Sequence, residues 1–440
     1  MTAPAKPGSS PASSSRSPGP ADDAPTRLAA QFTRTRATTL ALAAPLSPED
    51  MQAQSMPDAS PVKWHLAHTT WFFETFILAE LGLPAFHPGF AQLFNSYYQT
   101  VGAPHPRPQR GLLTRPELAE VLRYRQHVDA HILQALADDR LSPDLRARTE
   151  LGCHHEQQHQ ELILTDLKHL LACNPLRPAY RDPPVPSDMS TGTSQHVPQD
   201  MSQTPAPGEP WHTHPGGVVE VGHAGHAFAF DNEGPRHRVL LRPFALATRP
   251  VNNADYLAFI RDDGYRRHDL WLADGWDAVQ RHGWSAPAYW SADHRTRFTL
   301  HGERPIDLAA PVAHVSFYEA DAFARWAGAR LPHEHEWETI AADQPLAGNF
   351  QDSDLLEPAP QPRPHIFGDV WVWTASPYLA YPDFAPAAGA LGEYNGKFMC
   401  NQMVLRGGSC ATPQAHMRPS YRNFFPPEAR WQFSGIRLAR

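Results

Sequence analysis

The sequence has few cysteines. It contains four in 440 residues, and none of them belongs to a C-x-x-C pair. So small a number excludes a disulfide framework, and the wide spacing excludes a cysteine knuckle for zinc. A reducing compartment suits Cys153, Cys173, Cys400 and Cys410 best, and we therefore expect a cytoplasmic protein.

The sequence also lacks an excess of basic residues and a long apolar run. Its formal net charge is -8, whereas nucleic acids and anionic membrane surfaces attract basic patches. The richest apolar stretch, 70–83, is interrupted by Glu74 and Glu80 and is shorter than the ~20 residues of a membrane-spanning helix. We expect neither a nucleic-acid nor a membrane partner, and we expect small-molecule substrates. None of these features indicates an oligomeric state.

Composition divides the chain into four predicted segments. Residues 1–26 are rich in Pro, Ser and Ala with almost no large apolar side chain, which predicts a disordered tail. Residues 27–180 show helical periodicity and helix-start signals that predict a four-helix bundle. Residues 181–210 are rich in Pro, Ser and Thr and are interpreted as a linker or an insertion. Residues 211–440 alternate short apolar runs with turns and embedded helices, which completes an α + (α+β) architecture.

A pair of histidines in the fourth predicted helix indicates a metal site. Because His155 and His159 are four residues apart, both imidazoles lie on one helix face and can bind the same ion. The best third ligand is His68, on an earlier helix that a bundle would bring opposite. Three neutral imidazoles would leave open positions on the metal. The alternatives for the third ligand are His65, His154 and Glu161.

The same helix fits the H-E-x-x-H pattern of zinc peptidases, with Glu156 as the general base. In those enzymes the third ligand normally follows the helix, whereas here the attractive third histidine precedes it. We therefore favour a different metal site, in which Glu156 or Glu161 orients a ligand histidine. In a chain with 25 histidines, structural histidines without a ligand role are the remaining interpretation.

A loop between the second and third predicted helices carries two tyrosines and two arginines. Tyr97 and Tyr98 offer phenols that could donate a proton or a hydrogen atom near a metal. Arg107 and Arg110 offer guanidinium groups that could bind a carboxylate. The alternative is that the tyrosines are packing residues and the arginines form a solvated face.

Ordered motifs in the second half of the chain lie at 311–320, 326–332, 334–338, 368–374, 405–409 and 434–438. They resemble the formylglycine-generating-enzyme (sulfatase-modifying factor) family, whose fold is similar to that of C-type lectins. The copper-binding cysteine pair of that family is not apparent, because Cys410 has no obvious partner. The motifs at 64–68 and 155–159 in the first half resemble those of DinB-like helical bundles.

The two domains in this order resemble the ergothioneine-biosynthesis sulfoxide synthases of the EgtB type. This resemblance implies an iron-dependent oxidoreductase that uses Fe(II) and O2 to join a thiol sulfur to carbon 2 of the imidazole of hercynine, which is Nα-trimethylhistidine. It also implies that the iron is bound by His68, His155 and His159. Tyr97 and Tyr98 match the tyrosine pair of a subgroup that carries its catalytic phenol in the helical domain.

The resemblance further implies a set of substrate contacts. Gln158 matches the residue that contacts the substrate imidazole, and Asn423 matches one near the trimethylammonium and carboxylate groups. The aromatic faces of Phe424 and Trp431 would suit a quaternary ammonium. Arg107, with Arg110 beside it, is in position to hold the carboxylate of the thiol donor.

The residues after Asn423 bear on the identity of the donor. The γ-glutamylcysteine-using subgroup has Trp and Asp directly after the Asn and an Arg further on, whereas this chain has Phe424, Phe425 and Ala429. The departure favours L-cysteine or another small donor. The alternatives are a selenoneine synthase that takes a selenosugar, a zinc hydrolase or thiol transferase that uses the H-E-x-x-H helix, and a non-catalytic binding module.

Overall fold

The computed structural model describes residues 24–183, 211–361 and 365–440. Helices α1, α3, α5 and α6 pack against one another as the predicted helical bundle, and α3 continues as a π-helix at Glu74–Leu78. In these described residues, no helix combines the length and the apolarity needed to cross a membrane. The helices of this part are α1 (Ala24–Ala43), α2 (Pro48–Gln52), α3 (Val62–Phe73), α4 (Phe90–Leu93), α5 (Leu118–Ala137) and α6 (Pro143–Cys173).

The structure can be compared with the predicted segments at the end of the N-terminal tail and at the linker. Helix α1 begins at Ala24, so the last three residues assigned to the disordered tail are helical instead. The remainder of that tail and residues 184–210 of the predicted linker lie outside the described residues. The division into domains at 27, 181 and 211 therefore stays a prediction.

Helix α6 forms the central element of the bundle. The Ser142 side chain caps it by accepting a hydrogen bond from the backbone N–H of Leu145, and Pro143 occupies its first turn, as helix starts prefer. Gly152 lets this helix approach α3 closely, because a Cβ there would lie 2.4 Å from the Phe73 ring. This close approach brings the histidine-bearing faces of α3 and α6 together.

The second part of the chain is the predicted α+β domain. Its main sheet has the strand order β10-β7-β8-β9, in which only the β10–β7 pair is parallel, and three two-stranded sheets surround it. Trp337, Trp371 and Trp373 fill its core. Its helices are α7 (Asn253–Arg261), α8 (Ala273–His282), α9 (Phe317–Trp326) and α10 (Glu334–Ala341). Its strands are β1 (Trp211–His214), β2 (Gly217–Val221), β3 (His237–Leu241), β4 (Phe244–Ala247), β5 (Thr296–Thr299), β6 (Gly302–Pro305), β7 (Trp371–Pro377), β8 (Met403–Arg406), β9 (Asn423–Phe425) and β10 (Ser434–Gly435).

A buried carboxylate on α6 joins the two parts. Glu161 accepts hydrogen bonds from Nε1 of Trp371 at 2.8 Å, from the Ser409 hydroxyl at 2.5 Å and from the Thr412 hydroxyl at 2.7 Å. These partners occupy both carboxylate oxygens. Glu161 is therefore an interface residue, and the expectations that it binds the metal or orients a ligand histidine are wrong.

Candidate active site

Three buried histidines converge where α3 crosses α6. Nε2 of His155 lies 3.2 Å from Nε2 of His68 and 3.1 Å from Nε2 of His159. Within the described parts of the chain, these three form the only group of His, Cys, Asp or Glu whose potential ligand atoms all lie within 4.8 Å of one another. The two histidines of α6, spaced four residues apart, and the histidine of α3 therefore come together at one point in the bundle.

The three imidazoles fit a metal ion. Two nitrogen ligands bound at right angles, each about 2.1 Å from an ion, lie roughly 3 Å apart, which matches the two distances between the Nε2 atoms. Burial lowers the pKa of His155 to about 3 and the pKa values of His68 and His159 well below their usual range, so the rings are neutral. Nδ1 of His68 lies 2.6 Å from the carbonyl oxygen of Phe94 and must carry the proton there, which leaves a lone pair on Nε2. Nδ1 of His155 has no partner in the described residues to fix its tautomer, so Nε2 of His155 can also offer a lone pair, and the three nitrogens can converge on one cation.

His65 contacts the outer nitrogen of His159 and is not one of the three converging histidines. Nδ1 of His65 lies 2.8 Å from Nδ1 of His159, on the side of that ring away from the cluster. Nε2 of His65 lies 3.2 Å from a carboxylate oxygen of Asp166. His154, the other rival, stacks on Phe228 with ring centroids 3.9 Å apart. His68 is therefore the third member, as predicted.

Glu156 lies on another face of α6, away from the three histidines. Arg36 pairs with it at 2.8 Å and Arg125 pairs with its other oxygen. Burial alone would raise the pKa of Glu156, but the charges of Arg125 and Arg36 lower it to about 2. The carboxylate is thus ionised, both of its oxygens are paired with arginines, and it lies away from the three histidines. It cannot serve as the general base of a zinc peptidase, and the expectation that it orients a ligand histidine is wrong.

A cavity of about 440 Å³ opens over the three histidines, between the bundle and the α+β domain. Gln158 on α6 stands between two tyrosines of the second domain: Tyr394 donates its hydroxyl proton to the side-chain oxygen, and the side-chain NH2 donates to the hydroxyl of Tyr421 at 2.8 Å. The Tyr394 ring centroid lies 5.6 Å from that of His155. Both domains therefore build this cavity, and Gln158 lines it; its contact with the substrate imidazole stays a prediction.

The two predicted catalytic tyrosines occupy different positions. Tyr97 lines the cavity, and its hydroxyl donates to the backbone oxygen of Tyr394 at 3.4 Å. Tyr98 stacks on Tyr97 but is fully buried beside Trp71 and Phe76. Its hydroxyl has no hydrogen-bond partner in the described residues and does not reach the cavity wall. Burial raises the pKa of both phenols, so both are protonated.

Both predicted arginines line the cavity. The guanidinium carbon of Arg110 lies 3.4 Å from the centre of the Trp64 ring, and one of its nitrogens donates to the Ser60 hydroxyl at 2.9 Å. Burial lowers the pKa of Arg110 to about 9. Arg107 donates to the backbone oxygen of Asp58. Neither guanidinium forms an ion pair with a carboxylate of the described residues, although Asp166, which lines the same cavity, acts electrostatically on Arg110.

The predicted substrate contacts of the second domain are divided between two cavities. Asn423 and Phe424 in β9 line the cavity over the histidines, and Phe424 stacks on Tyr378 with ring centroids 4.0 Å apart. Trp431 lines a separate cleft with Trp284. Trp431 therefore does not offer its face to this cavity, although its neighbour Gln432 lines it.

Sequence reasoning missed several residues of the cavity. Tyr394 and Tyr421 come from irregular segments without periodicity, and no local signal marks them. Asp166 did carry a signal, since it follows His159 by seven residues and lies two turns further along the same helix face. The sequence suggested His65 only as an alternative ligand. Its position three residues before His68 places it on the same helix face, beside the three clustered histidines.

Known proteins match both halves of the chain separately, and others match 94% of its length. The DinB superfamily matches residues 31–163, and the sulfatase-modifying factor enzyme 1-like domain matches residues 197–364 and 364–440. A hercynine oxygenase of Mycolicibacterium thermoresistibile is 33% identical over 94% of this chain and 94% of its own length. A hercynine oxygenase of Mycobacterium tuberculosis is 32% identical over 94% of this chain and 99% of its own length. A formylglycine-generating enzyme of Streptomyces coelicolor is 36% identical over 35% of this chain and 53% of its own length.

Proposed function

This chain belongs to the hercynine oxygenase family, and we propose that it joins a thiol sulfur to carbon 2 of the hercynine imidazole and delivers a sulfoxide. The reaction balances with O2 as the oxidant. One oxygen atom stays on sulfur, and the other leaves as water with the hydrogens of the thiol and of imidazole carbon 2. The observation that carries the proposal is the cluster of three neutral imidazoles at the floor of a cavity built by both domains.

We propose Fe(II) as the metal, held by His68, His155 and His159. Three nitrogen ligands leave room for further ligands on a six-coordinate ion, and imidazole ligands suit iron. When bound, ferrous iron would supply the means to activate O2 beside the thiol and the imidazole. The ionised, fully paired Glu156 supports this choice over a zinc hydrolase, which would need a free base at that position. We also propose a cytoplasmic location, because a thiol donor and ferrous iron persist under reducing conditions.

The hercynine end of the proposal uses three side chains of the cavity wall. Gln158 would bind the imidazole after exchanging one of its two tyrosine partners for the substrate. The side-chain oxygen of Asn423 accepts a hydrogen bond from the backbone N–H of the next residue, Phe424, at 2.9 Å. The side-chain NH2 group of Asn423 therefore remains available for the substrate carboxylate. The Phe424 ring would face the trimethylammonium group, an arrangement worth about 2 kcal/mol or more when desolvated.

The donor end of the proposal uses the two unpaired arginines. Arg107 and Arg110 bring positive charge to the cavity wall and form no ion pair with a carboxylate of the described residues, so the carboxylate of a small donor would be bound there. L-cysteine fits because it presents one carboxylate beside its thiol. The apolar side chains of Phe424 and Phe425 disfavour the larger γ-glutamylcysteine, which carries two carboxylates and one ammonium group.

Tyr97 is the proposed proton or hydrogen-atom donor, with Tyr98 stacked behind it. Its phenol is protonated and lies on the wall of the cavity. Donation near the reacting oxygen would favour sulfoxide formation over oxidation of the thiol alone to a sulfinate. Tyr98 would assist by fixing the plane of the Tyr97 ring, because its own hydroxyl is buried out of reach of a substrate.

A parallel donor assay tests the function. Protein purified without oxygen and loaded with Fe(II) is mixed with hercynine and O2 in the presence of cysteine, γ-glutamylcysteine or a selenosugar. The expected product has the mass of the hercynine–cysteine sulfoxide, and it forms only when O2 is present. Turnover with the selenosugar alone would replace the proposal with selenoneine synthesis. Activity that needs zinc and not O2 would replace it with hydrolysis or thiol transfer.

A further inference from the structure

The three clustered histidines differ in what their outward nitrogens contact. Nδ1 of His68 lies 2.6 Å from a backbone carbonyl oxygen. Nδ1 of His155 is buried and has no hydrogen-bond partner in the described part of the chain. Nδ1 of His159 lies 2.8 Å from a second imidazole, that of His65, which in turn contacts Asp166. Of the three, only His159 is thus connected to a carboxylate.

The hydrogen-bond partners determine where the protons lie. An oxygen of Asp166 lies 3.2 Å from Nε2 of His65 and also accepts the backbone N–H of Ser60 at 2.8 Å. A carboxylate only accepts, so Nε2 of His65 carries the proton and Nδ1 keeps a lone pair. That lone pair accepts Nδ1–H of His159. The Nε2 lone pair of His159 is then directed toward the other two histidines.

We propose that His65 and Asp166 are positioning residues that fix the tautomer and the ring plane of His159 for metal binding. Two features make this chain of contacts effective. All three side chains are buried, so water cannot replace a lost partner without cost. The backbone N–H of Ser60, two residues before α3, holds the carboxylate of Asp166 on α6. Helix α3 itself carries His65. The consequence for catalysis rests on the proposed function, whereas the consequence for metal affinity does not.

The first test compares substitutions at His65. His65→Phe keeps an aromatic ring but removes the acceptor, and it should weaken binding of Fe(II) or Co(II) by the roughly 10- to 100-fold that loss of a ligand's outer partner costs. His65→Gln keeps an acceptor and a donor and should recover part of that loss. His169→Phe is the matched control, since His169 lies on α6 but contacts Ser55 instead of the cluster; its affinity should equal that of wild type.

The measurement is competition with a chelator, together with the visible absorption band of the Co(II)-loaded protein. The band reports the geometry around the ion and should shift in His65→Phe. A merely structural role would leave the band in place. Wild-type affinity and an unchanged band in His65→Phe would overturn the proposal.

Asp166→Asn supplies a second arm that keeps the shape and removes the charge. The expected result is a smaller loss of affinity than in His65→Phe, because an acceptor for Nε2–H of His65 remains. Melting of the metal-free proteins shows which variants fold. If His65→Phe does not fold, wild-type affinity in both His65→Gln and Asp166→Asn would overturn the proposal. These titrations contain neither hercynine nor O2, so a wild-type protein that forms no sulfoxide would reject the proposed function without affecting them.

Discussion

The two walls of the cavity are built in different ways. The bundle wall carries His68, His155 and His159 on two long helices, where every ring is buried and held by its neighbours. The wall of the second domain carries Tyr394, Tyr421 and other contacts on loops and on the short strand β9. A metal site needs ligands held closely in place, which helices provide, whereas loops can vary without disturbing them. We infer that the metal chemistry belongs to the bundle, whereas substrate binding is shared by both walls: Gln158, Arg107 and Arg110 belong to the bundle, and Asn423 and Phe424 to the second domain.

The largest expected effect comes from the bundle wall. His155→Ala removes the nitrogen that lies within 3.2 Å of both other ligands, so the ion loses its central contact. Sulfoxide formation should fall by more than the roughly 100-fold expected for an outer partner, and metal content after dialysis should fall with it. His131→Ala is the control, because His131 on α5 bonds only within its own helix. Retention of metal by His155→Ala would contradict the assignment.

A second prediction separates the phenols of the two walls. Tyr97→Phe should reduce sulfoxide formation by about 100-fold, the lower range for loss of an acid catalyst, and should increase cysteine sulfinate. Tyr394→Phe removes the donor to Gln158 and should chiefly raise KM for hercynine. The measurement is the ratio of sulfoxide to sulfinate by mass spectrometry. If Tyr394→Phe diverts the products and Tyr97→Phe does not, the catalytic phenol belongs to the second domain.

The smallest expected effect concerns stability. Each domain contains a buried carboxylate between two arginines: Glu156 in the bundle, and Glu334 between Arg406 and Arg422 in the second domain. Burial alone would raise the pKa of Glu334, but Arg422 and Arg406 lower it to about 2. The unfolded carboxyl titrates near 4.3, so this stabilisation is complete above that pH and is lost as the pH falls toward 2.

Glu334→Gln tests this point in the metal-free protein. The free energy of unfolding should decrease by about 3 kcal/mol at pH 7, because Arg422 loses its carboxylate partner and Arg406 is left with Glu338. Its slope between pH 4.5 and pH 3 should also become flatter than in wild type. Urea unfolding at a series of pH values measures both quantities. An unchanged slope would show that other groups dominate the acid response of the second domain.

Local sequence patterns sufficed for much of the fold and for the floor of the site. The helical periodicity and helix-start signals of residues 27–180 predicted the bundle, and the four-residue spacing of His155 and His159 placed both rings on one face. These features are local, since a cap or a helix face depends only on residues within one or two turns. Motifs of the second half and the match at 64–68 supplied the rest through resemblance.

The tertiary structure alone decided which side chains reach the cavity. Tyr97 and Tyr98 are adjacent in sequence, yet one lines the cavity and the other is buried, because successive residues of a loop point in different directions. Tyr394 reaches Gln158 across 236 residues, a contact that only the docking of the two domains creates. Glu161 was available as a ligand by sequence, but the second domain engaged both of its oxygens. The sequence thus determined the helices and their histidine face, whereas long-range packing determined the substrate side of the site.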